Sequence, residues 1–276
     1  MKGKISHIGL VAGDKNLPFL ICDFARQNNV EISVMGIRGC VSDSLKKKVK
    51  KGSYREFYLS ELSKTILFFK SQNVDTVVLV GGVGHAKIKP TFDLIRTFFK
   101  LIFMKNRYDG VLRLVISEFE KNGFHVVGIQ DLMPELLIKK GVLTDVLPSL
   151  HDIDDAKFGF EMAKKFAKTD RGQSIIVQNK KVVAVERFSG TDELINRSKK
   201  HLCGTGGILV KVIKPQQERR ADIPVLGVNT IKNIASAGLN GVVIEADNAI
   251  IDDRENVIKT ANDLGIFIIG SDGKFF

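Results

Sequence analysis

The chain has 276 residues, of which 44% are hydrophobic and 26% charged, and it contains no Trp. That composition supports a packed core and excludes a mainly disordered chain, a collagen-like repeat and a disulfide scaffold. Lys+Arg 42 against Asp+Glu 31 leaves a net charge of +11, which favours anionic partners (nucleic acid, nucleotides, phosphorylated sugars or an acidic membrane surface) without choosing among them.

Residues 5–12 are β-rich and run into Gly13. Residues 17–27 follow with Leu17, Leu20, Ile21 and Phe24 at helical spacing and Pro18 in the first turn, where a missing N–H costs no hydrogen bond. A second strand is expected at 31–37 and a helix at 60–71, which Ser60 can cap. Residues 75–80 form an unbroken apolar strand ending in Gly81-Gly82, the pattern of a parallel strand buried on both faces. Helices at 91–104 and 110–121 and a strand at 124–129 complete this part. Strands alternating with helices predict a Rossmann-like, doubly wound parallel sheet with right-handed crossovers. The lysine run at 46–51 (KKKVKK) reads as a solvated loop.

The second part reads differently. A long helix is expected at 152–168, and strands at 174–178 and 181–187 flank Asn179-Lys180, a hairpin signal. A strand at 208–213, a helix at 230–237, strands at 241–246 and 249–251, a helix at 253–263 and a strand at 266–269 follow. This predicts a mixed α/β (α+β) domain. The boundary falls between Asp131 and Asp152, so we divide the chain into an N-terminal domain at 1–133 and a C-terminal domain at 134–276. Three cysteines without a CxxC pair suit reduced thiols. No apolar run reaches the ~18 residues of a spanning helix, and no secretory signal pattern is present. The expectation is a cytoplasmic protein, soluble or peripheral at a membrane.

Two glycine loops end strands of the first part: Gly9-Leu10-Val11-Ala12-Gly13, and Gly81-Gly82-Val83-Gly84 before His85. Glycines at the carboxyl ends of parallel strands let a backbone approach a phosphate. Neither loop carries the G-x-G-x-x-G or G-x-x-x-x-G-K-[ST] fingerprint, and Asp14 sits where a phosphate loop prefers a small neutral residue. The greasy stretch at 91–104 with basic flanks suits either a buried sheet-covering helix or a surface that meets lipid.

Three clusters mark the second part. Glu186 to Asp192 (ERFSGTD) holds carboxylates between a strand and a helix N-terminus. Gly206 to Pro215 (GGILVKVIKP) places Lys211 on the strand face opposite Val210 and Val212. Gln217 to Pro224 (QERRADIP) packs Arg, Gln and acid into a Pro-bounded loop. Arg and Lys clamp phosphate oxygens, and paired carboxylates can hold Mg²⁺ or Mn²⁺. These parts suit phosphoryl transfer or diphosphate hydrolysis, or else a surface salt-bridge network.

The motifs GLVAG-x3-LP at 9–18, FEKNGF at 119–124, DRGQS at 170–174, E-x3-GTD at 186–192, K-x2-KP at 211–215, RRxDxP at 219–224 and IEA at 244–246 occur in this order. In them the chain resembles the metal-dependent UDP-2,3-diacylglucosamine diphosphatases of lipid A biosynthesis, the class unrelated to the calcineurin-like enzymes. The resemblance implies a Rossmann-like N-terminal domain, a C-terminal catalytic domain and hydrolysis of UDP-2,3-diacylglucosamine to UMP and 2,3-diacylglucosamine 1-phosphate (lipid X). It implies Mg²⁺ or Mn²⁺ as cofactor and a homodimer. Asp222 matches the family's essential aspartate. Asp222 becomes the candidate catalytic residue, organising the metal or the attacking water, Asp222, Glu186 and Asp192 the candidate metal ligands, and Gly13, Leu17, Thr191, Lys211, Lys214, Gln217 and Arg220 candidate substrate contacts. Asp14, Gly110, Arg171 and Glu218 depart from the family pattern.

An anionic inner-membrane surface is an expected partner, and two acyl chains call for an apolar groove. Nucleic acid is not expected, since no nucleic-acid motif and no aromatic cluster accompanies the basic loop. The competing reading is a non-catalytic binding module for nucleotide-sugars or acidic lipids.

Overall fold

The computed structural model of the chain describes residues 5–84, 107–187, 190–204 and 206–275. The chain divides into two compact units. One comprises Met1–Pro134 with Glu218–Asp222, the other Glu135–Gln217 with Ile223–Phe276. The helix expected at 91–104 and the residue His85 lie outside the described residues.

The first unit carries a five-stranded sheet in the order β3-β2-β1-β4-β5: β1 (His7–Ala12), β2 (Glu31–Ile37), β3 (Tyr54–Phe57), β4 (Thr76–Val80) and β5 (His125–Val127). Every pairing is parallel, as the alternating pattern predicts. All residues of β1 and β4 are buried, because helices cover both faces of a parallel sheet. The crossovers include α1 (Leu17–Gln27), α2 (Asp43–Lys47), α3 (Leu62–Ser71) and α4 (Arg107–Lys121), and α5 (Ile129–Leu132) follows β5.

Phenylalanines fill the space below α3 and α4. Phe69 stacks on Phe119 at 6.1 Å between centroids, and Phe124 meets both rings edge-on. Each such ring contributes about 2–3 kcal/mol by leaving water. Gly9 is required beneath them, since a Cβ there would stand 2.9 Å from the Phe69 ring.

Some local expectations change. Helix α3 starts at Leu62 with Glu61, not Ser60, at its N-cap, and no side chain caps it; the Glu61 carboxylate instead accepts from the Tyr58 amide at 3.1 Å. The expected strand at 124–129 shortens to β5, because Gly128 and Asp131 cap the turn α5. Strand β3 and helix α2 had no sequence signal.

The second unit carries a six-stranded mixed sheet in the order β6-β13-β11-β9-β7-β8, with a two-stranded ribbon β10-β12. Its strands are β6 (Gly141–Val142), β7 (Ser174–Gln178), β8 (Lys181–Val185), β9 (Ile208–Lys211), β11 (Gly241–Glu245) and β13 (Phe267–Ser271), with β10 (Val225–Leu226) and β12 (Ile250–Ile251) forming the ribbon. Strands β9, β11 and β13 are parallel, and β6 and β7 join antiparallel.

The β7–β8 hairpin turns at Asn179 and Lys180, both at φ +54, as a two-residue primed turn demands. Asp155 holds the turn by accepting from both amides, at 2.9 and 2.5 Å. Asp155 belongs to α6 (Leu150–Ala167), which starts on a Ser149–Asp152 capping box. Gly159 lets this helix lie close on the sheet, since a Cβ there would meet Val210 at 2.8 Å. Helices α7 (Gly190–Ser198), α8 (Val228–Ser236) and α9 (Arg254–Asp263) complete the unit. No helix among the described residues is long and apolar enough to cross a membrane.

Candidate functional site

In the first unit the strand order reverses between β1 and β4, and ligands of open α/β sheets bind outside the carboxyl ends at such a point. Gly13 ends β1 there and donates its amide to Val80 O at 2.8 Å, while Asp14 and Gly82 form a bridge. A Cβ on Gly13 would stand 2.3 Å from Gly82 O, so the two glycine loops close on each other. The Asp14 side chain enters this crevice, and its Oδ1 is buried without a hydrogen-bond partner among the described residues. Leu17, at the start of α1, is buried, which makes it a packing residue of the loop.

The same unit includes the segment Glu218–Asp222. Its backbone is anchored by Gln130 Nε2, which donates to Arg219 O at 3.2 Å, and by Ala221, which packs on the Phe69–Phe119 core. Arg220 grips Glu218 with two parallel bonds, Nε to Oε1 at 2.9 Å and Nη2 to Oε2 at 3.0 Å, and reaches Glu120 with Nη1 at 2.7 Å. The Arg220 fork holds the Glu218 carboxyl below its usual range. Asp222 closes the turn, its amide donating to Glu218 O at 2.9 Å, and its side chain is half-buried. The segment is thus a braced turn that presents Asp222 two residues from an ion-pair brace.

The second unit gathers a different group. Glu186, just past β8, is buried. Its Oε2 accepts from the Gln173 amide at 2.7 Å and its Oε1 from the Thr191 hydroxyl at 2.8 Å. Thr191 sits in the first turn of α7 and is a hub: Lys211 Nζ, from the end of β9, lies 3.3 Å from its Oγ1, and Ser174 Oγ lies 3.3 Å from it. The sequence-predicted residues Glu186, Thr191 and Lys211 are therefore brought together.

Others are placed elsewhere in the unit. Asp192 turns to Asn233 of α8, accepting from Nδ2 at 3.0 Å. Lys214 pairs with Asp170 at 3.1 Å. Gln217 is buried, and its Oε1 accepts from the Lys214 amide at 3.2 Å, folding the Lys214–Gln217 turn on itself.

Both halves of the chain match one family. The LpxI N-terminal domain matches residues 7–136 and the LpxI C-terminal domain residues 139–269. The UDP-2,3-diacylglucosamine pyrophosphatase LpxI of Caulobacter vibrioides is 31% identical over 280 aligned residues, which cover 96% of this chain and 97% of that protein. The chain belongs to the LpxI family.

In this LpxI-family chain the motifs have distinct physical jobs. The Glu of IEA, Glu245, holds Lys164 Nζ with both oxygens at 3.0 Å and accepts from the Ile213 amide at 3.0 Å, so it fixes the chain leaving β9 between Lys211 and Lys214. Gln173 and Ser174 of DRGQS bond the Glu186 cluster. Sequence reading quoted both motifs without assigning these residues. Glu120, the Glu of FEKNGF, and Gln130, which carries no local signal, brace the Asp222 turn from a distant part of the chain.

Glu186 is committed to Gln173 and Thr191, and Asp192 to Asn233. Among the described residues no group of three His, Cys, Asp or Glu side chains gathers as a cation site. The described residues of either unit therefore do not amount to a preformed metal centre.

Proposed function

We propose that this chain hydrolyses the diphosphate of UDP-2,3-diacylglucosamine, releasing UMP and 2,3-diacylglucosamine 1-phosphate. The observation that carries the reading is the match over 96% of the chain to a protein named for that pyrophosphatase activity, with the RRxDxP motif around Asp222 intact. In the reaction a water oxygen bonds to one phosphorus and the bond to the bridging oxygen breaks. Asp222 orients that water and takes its proton. Lys211, steadied by Thr191 and Glu186, offsets charge that builds on the phosphate oxygens. Gly13, Lys214, Gln217 and Arg220 belong to the same reading as contacts or supports of the substrate.

Dependence on Mg²⁺ or Mn²⁺ is part of the proposal, and the ion would supply charge neutralisation on the diphosphate. Among the described residues no group of three metal-ligating side chains gathers, so the ion would arrive with the diphosphate and Asp222 would be the side chain that helps hold it. A diacylated substrate also implies work at a membrane surface by a cytoplasmic, peripheral protein, and the family implies a homodimer.

The test is turnover of the substrate in detergent with Mg²⁺, Mn²⁺ or EDTA, read by mass spectrometry. Wild type should release both products with either ion and neither with EDTA. Asp222→Ala should lower kcat by at least about a hundredfold, the usual worth of a positioned acid–base group, with unchanged melting. Substrate bound but never cleaved, under any metal, would overturn hydrolysis and leave a binding module.

A further inference from the structure

The lysine run at 46–51 is more than a solvated loop. Asp43–Lys47 form α2, seated by the fully buried Leu45. The chain then turns through Gly52, at φ +100, into the edge strand β3. Along this crossover lies a cavity of about 590 Å³, lined by six cations (Arg38, Lys46, Lys47, Lys50, Lys51 and Arg55) against one carboxylate, Glu56. That volume falls in the range of small-ligand sites.

One carboxylate stands in the lining against six cations, and beyond it Arg38 also feels Glu61. Glu56 spends Oε1 on the Tyr54 hydroxyl at 3.0 Å. Within the run, Lys48 turns away to Asp23 at 2.6 Å, but none of the six lining cations makes an ion pair among the described residues. Three are steadied by aromatic rings instead: Arg38 over Tyr58 at 4.8 Å, Lys46 over Tyr54 at 5.8 Å and Arg55 over Phe68 at 5.6 Å. Rings fix the position of a cation without cancelling its charge. Six like charges around one concavity repel each other and raise a positive potential that a bound anion relieves. Their forked and threefold donors match phosphate oxygens.

We propose that this cavity is an anion site that takes phosphate groups, either the headgroups of an anionic lipid surface or a soluble phosphorylated molecule. It shares no residue with the Asp222 turn or the Glu186 cluster, and it does not depend on the hydrolase reading. All six cations are exposed, so they can meet an extended anionic layer as well as an enclosed ligand.

The test compares wild type with the quadruple variant Lys46→Ala, Lys47→Ala, Lys50→Ala, Lys51→Ala. A control, Lys168→Ala, Lys200→Ala, Lys232→Ala, Lys259→Ala, removes the same charge from exposed positions elsewhere. One arm is sedimentation with phosphatidylcholine vesicles, with and without phosphatidylglycerol. The other is calorimetric titration with inorganic diphosphate.

Each lysine near an anionic surface contributes about fivefold. The cavity variant should therefore lose at least about a hundredfold in affinity in one arm, while the control stays within severalfold of wild type. Loss in the vesicle arm assigns a lipid headgroup, and loss in the diphosphate arm assigns a soluble phosphate; both support the site. Arg at the same four positions should retain binding, and melting should match wild type in every variant. Equal loss in the cavity variant and the control would show net charge alone and overturn the proposal, as would no binding by wild type in either arm.

Discussion

The Glu186 cluster and the Arg220 brace each combine acid and base, but they are held by different forces. Glu186 is 7% exposed and takes its bonds from a backbone amide and a hydroxyl set by two strands and a helix. Lys211 Nζ reaches the Thr191 hydroxyl, which in turn donates to Glu186. Arg220 instead faces two carboxylates directly, with 34% of its side chain exposed and 47% of Glu120 exposed. The first group is positioned by the fold and fails only if the fold yields. The second is positioned by charge and responds to salt and pH.

The largest effect should come from breaking the rigid group. Glu186→Ala removes the acceptor of the half-buried Gln173 amide and Thr191 hydroxyl, and the loss of a buried partner costs about 1–3 kcal/mol. We expect a loss of about 3 kcal/mol in urea unfolding. Glu186→Gln keeps one acceptor, and the Thr191 hydroxyl can rotate to accept from its new NH₂, so it should lose about 1 kcal/mol. Equal losses in the two variants would show that charge, not hydrogen bonding, secures Glu186.

The same contrast explains what the sequence revealed. Strands β1 and β4 were legible because burial on both faces leaves an unbroken apolar run. The β7–β8 turn was legible because Asn179-Lys180 tolerates positive φ. The family resemblance is what joins Glu186, Thr191 and Lys211 in the sequence, and the fold brings them together from two strand ends and a helix start. Strand β3 was not legible: it is a half-exposed edge strand reading Tyr-Arg-Glu-Phe, with no apolar run. Helix α2 was hidden inside a lysine run, with Leu45 its only buried residue. The brace was invisible for another reason. Glu120 lies 100 residues before Arg220, and Gln130 lies 89 before Arg219, so only the folded chain brings them together. For Arg220 the resemblance implies phosphate contact, and the fold adds hydrogen bonds to Glu218 and Glu120.

A smaller effect should follow from loosening the adjustable group. Arg220→Ala removes a partly exposed ion-pair set, and such pairs contribute up to about 1 kcal/mol. The variant should unfold at slightly lower urea in low salt, and the difference from wild type should shrink toward 1 M NaCl, where the Debye length falls to about 3 Å. The Glu186 variants should show no comparable salt dependence. A salt-independent loss in Arg220→Ala would mean that its packing, rather than its charge, holds the turn.

The smallest effect, and the most specific, concerns acid. The Arg220 fork lowers the folded Glu218 carboxyl below its ordinary 4.5, against burial, which pushes it up. Between the two values the unfolded chain binds the proton that the folded chain refuses, so stability falls as pH falls. The contribution is complete above about 4.5, is lost as pH drops through the lowered folded value, and is gone below it. With Arg220→Ala only burial and weaker charges remain, and the folded carboxyl moves back up. Urea midpoints between pH 7 and pH 3 should therefore decline less steeply in Arg220→Ala than in wild type, with the two curves converging at the acid end. Parallel curves would show that Glu218 is held by the turn backbone and not by the guanidinium. That outcome would move the brace into the same rigid class as Glu186.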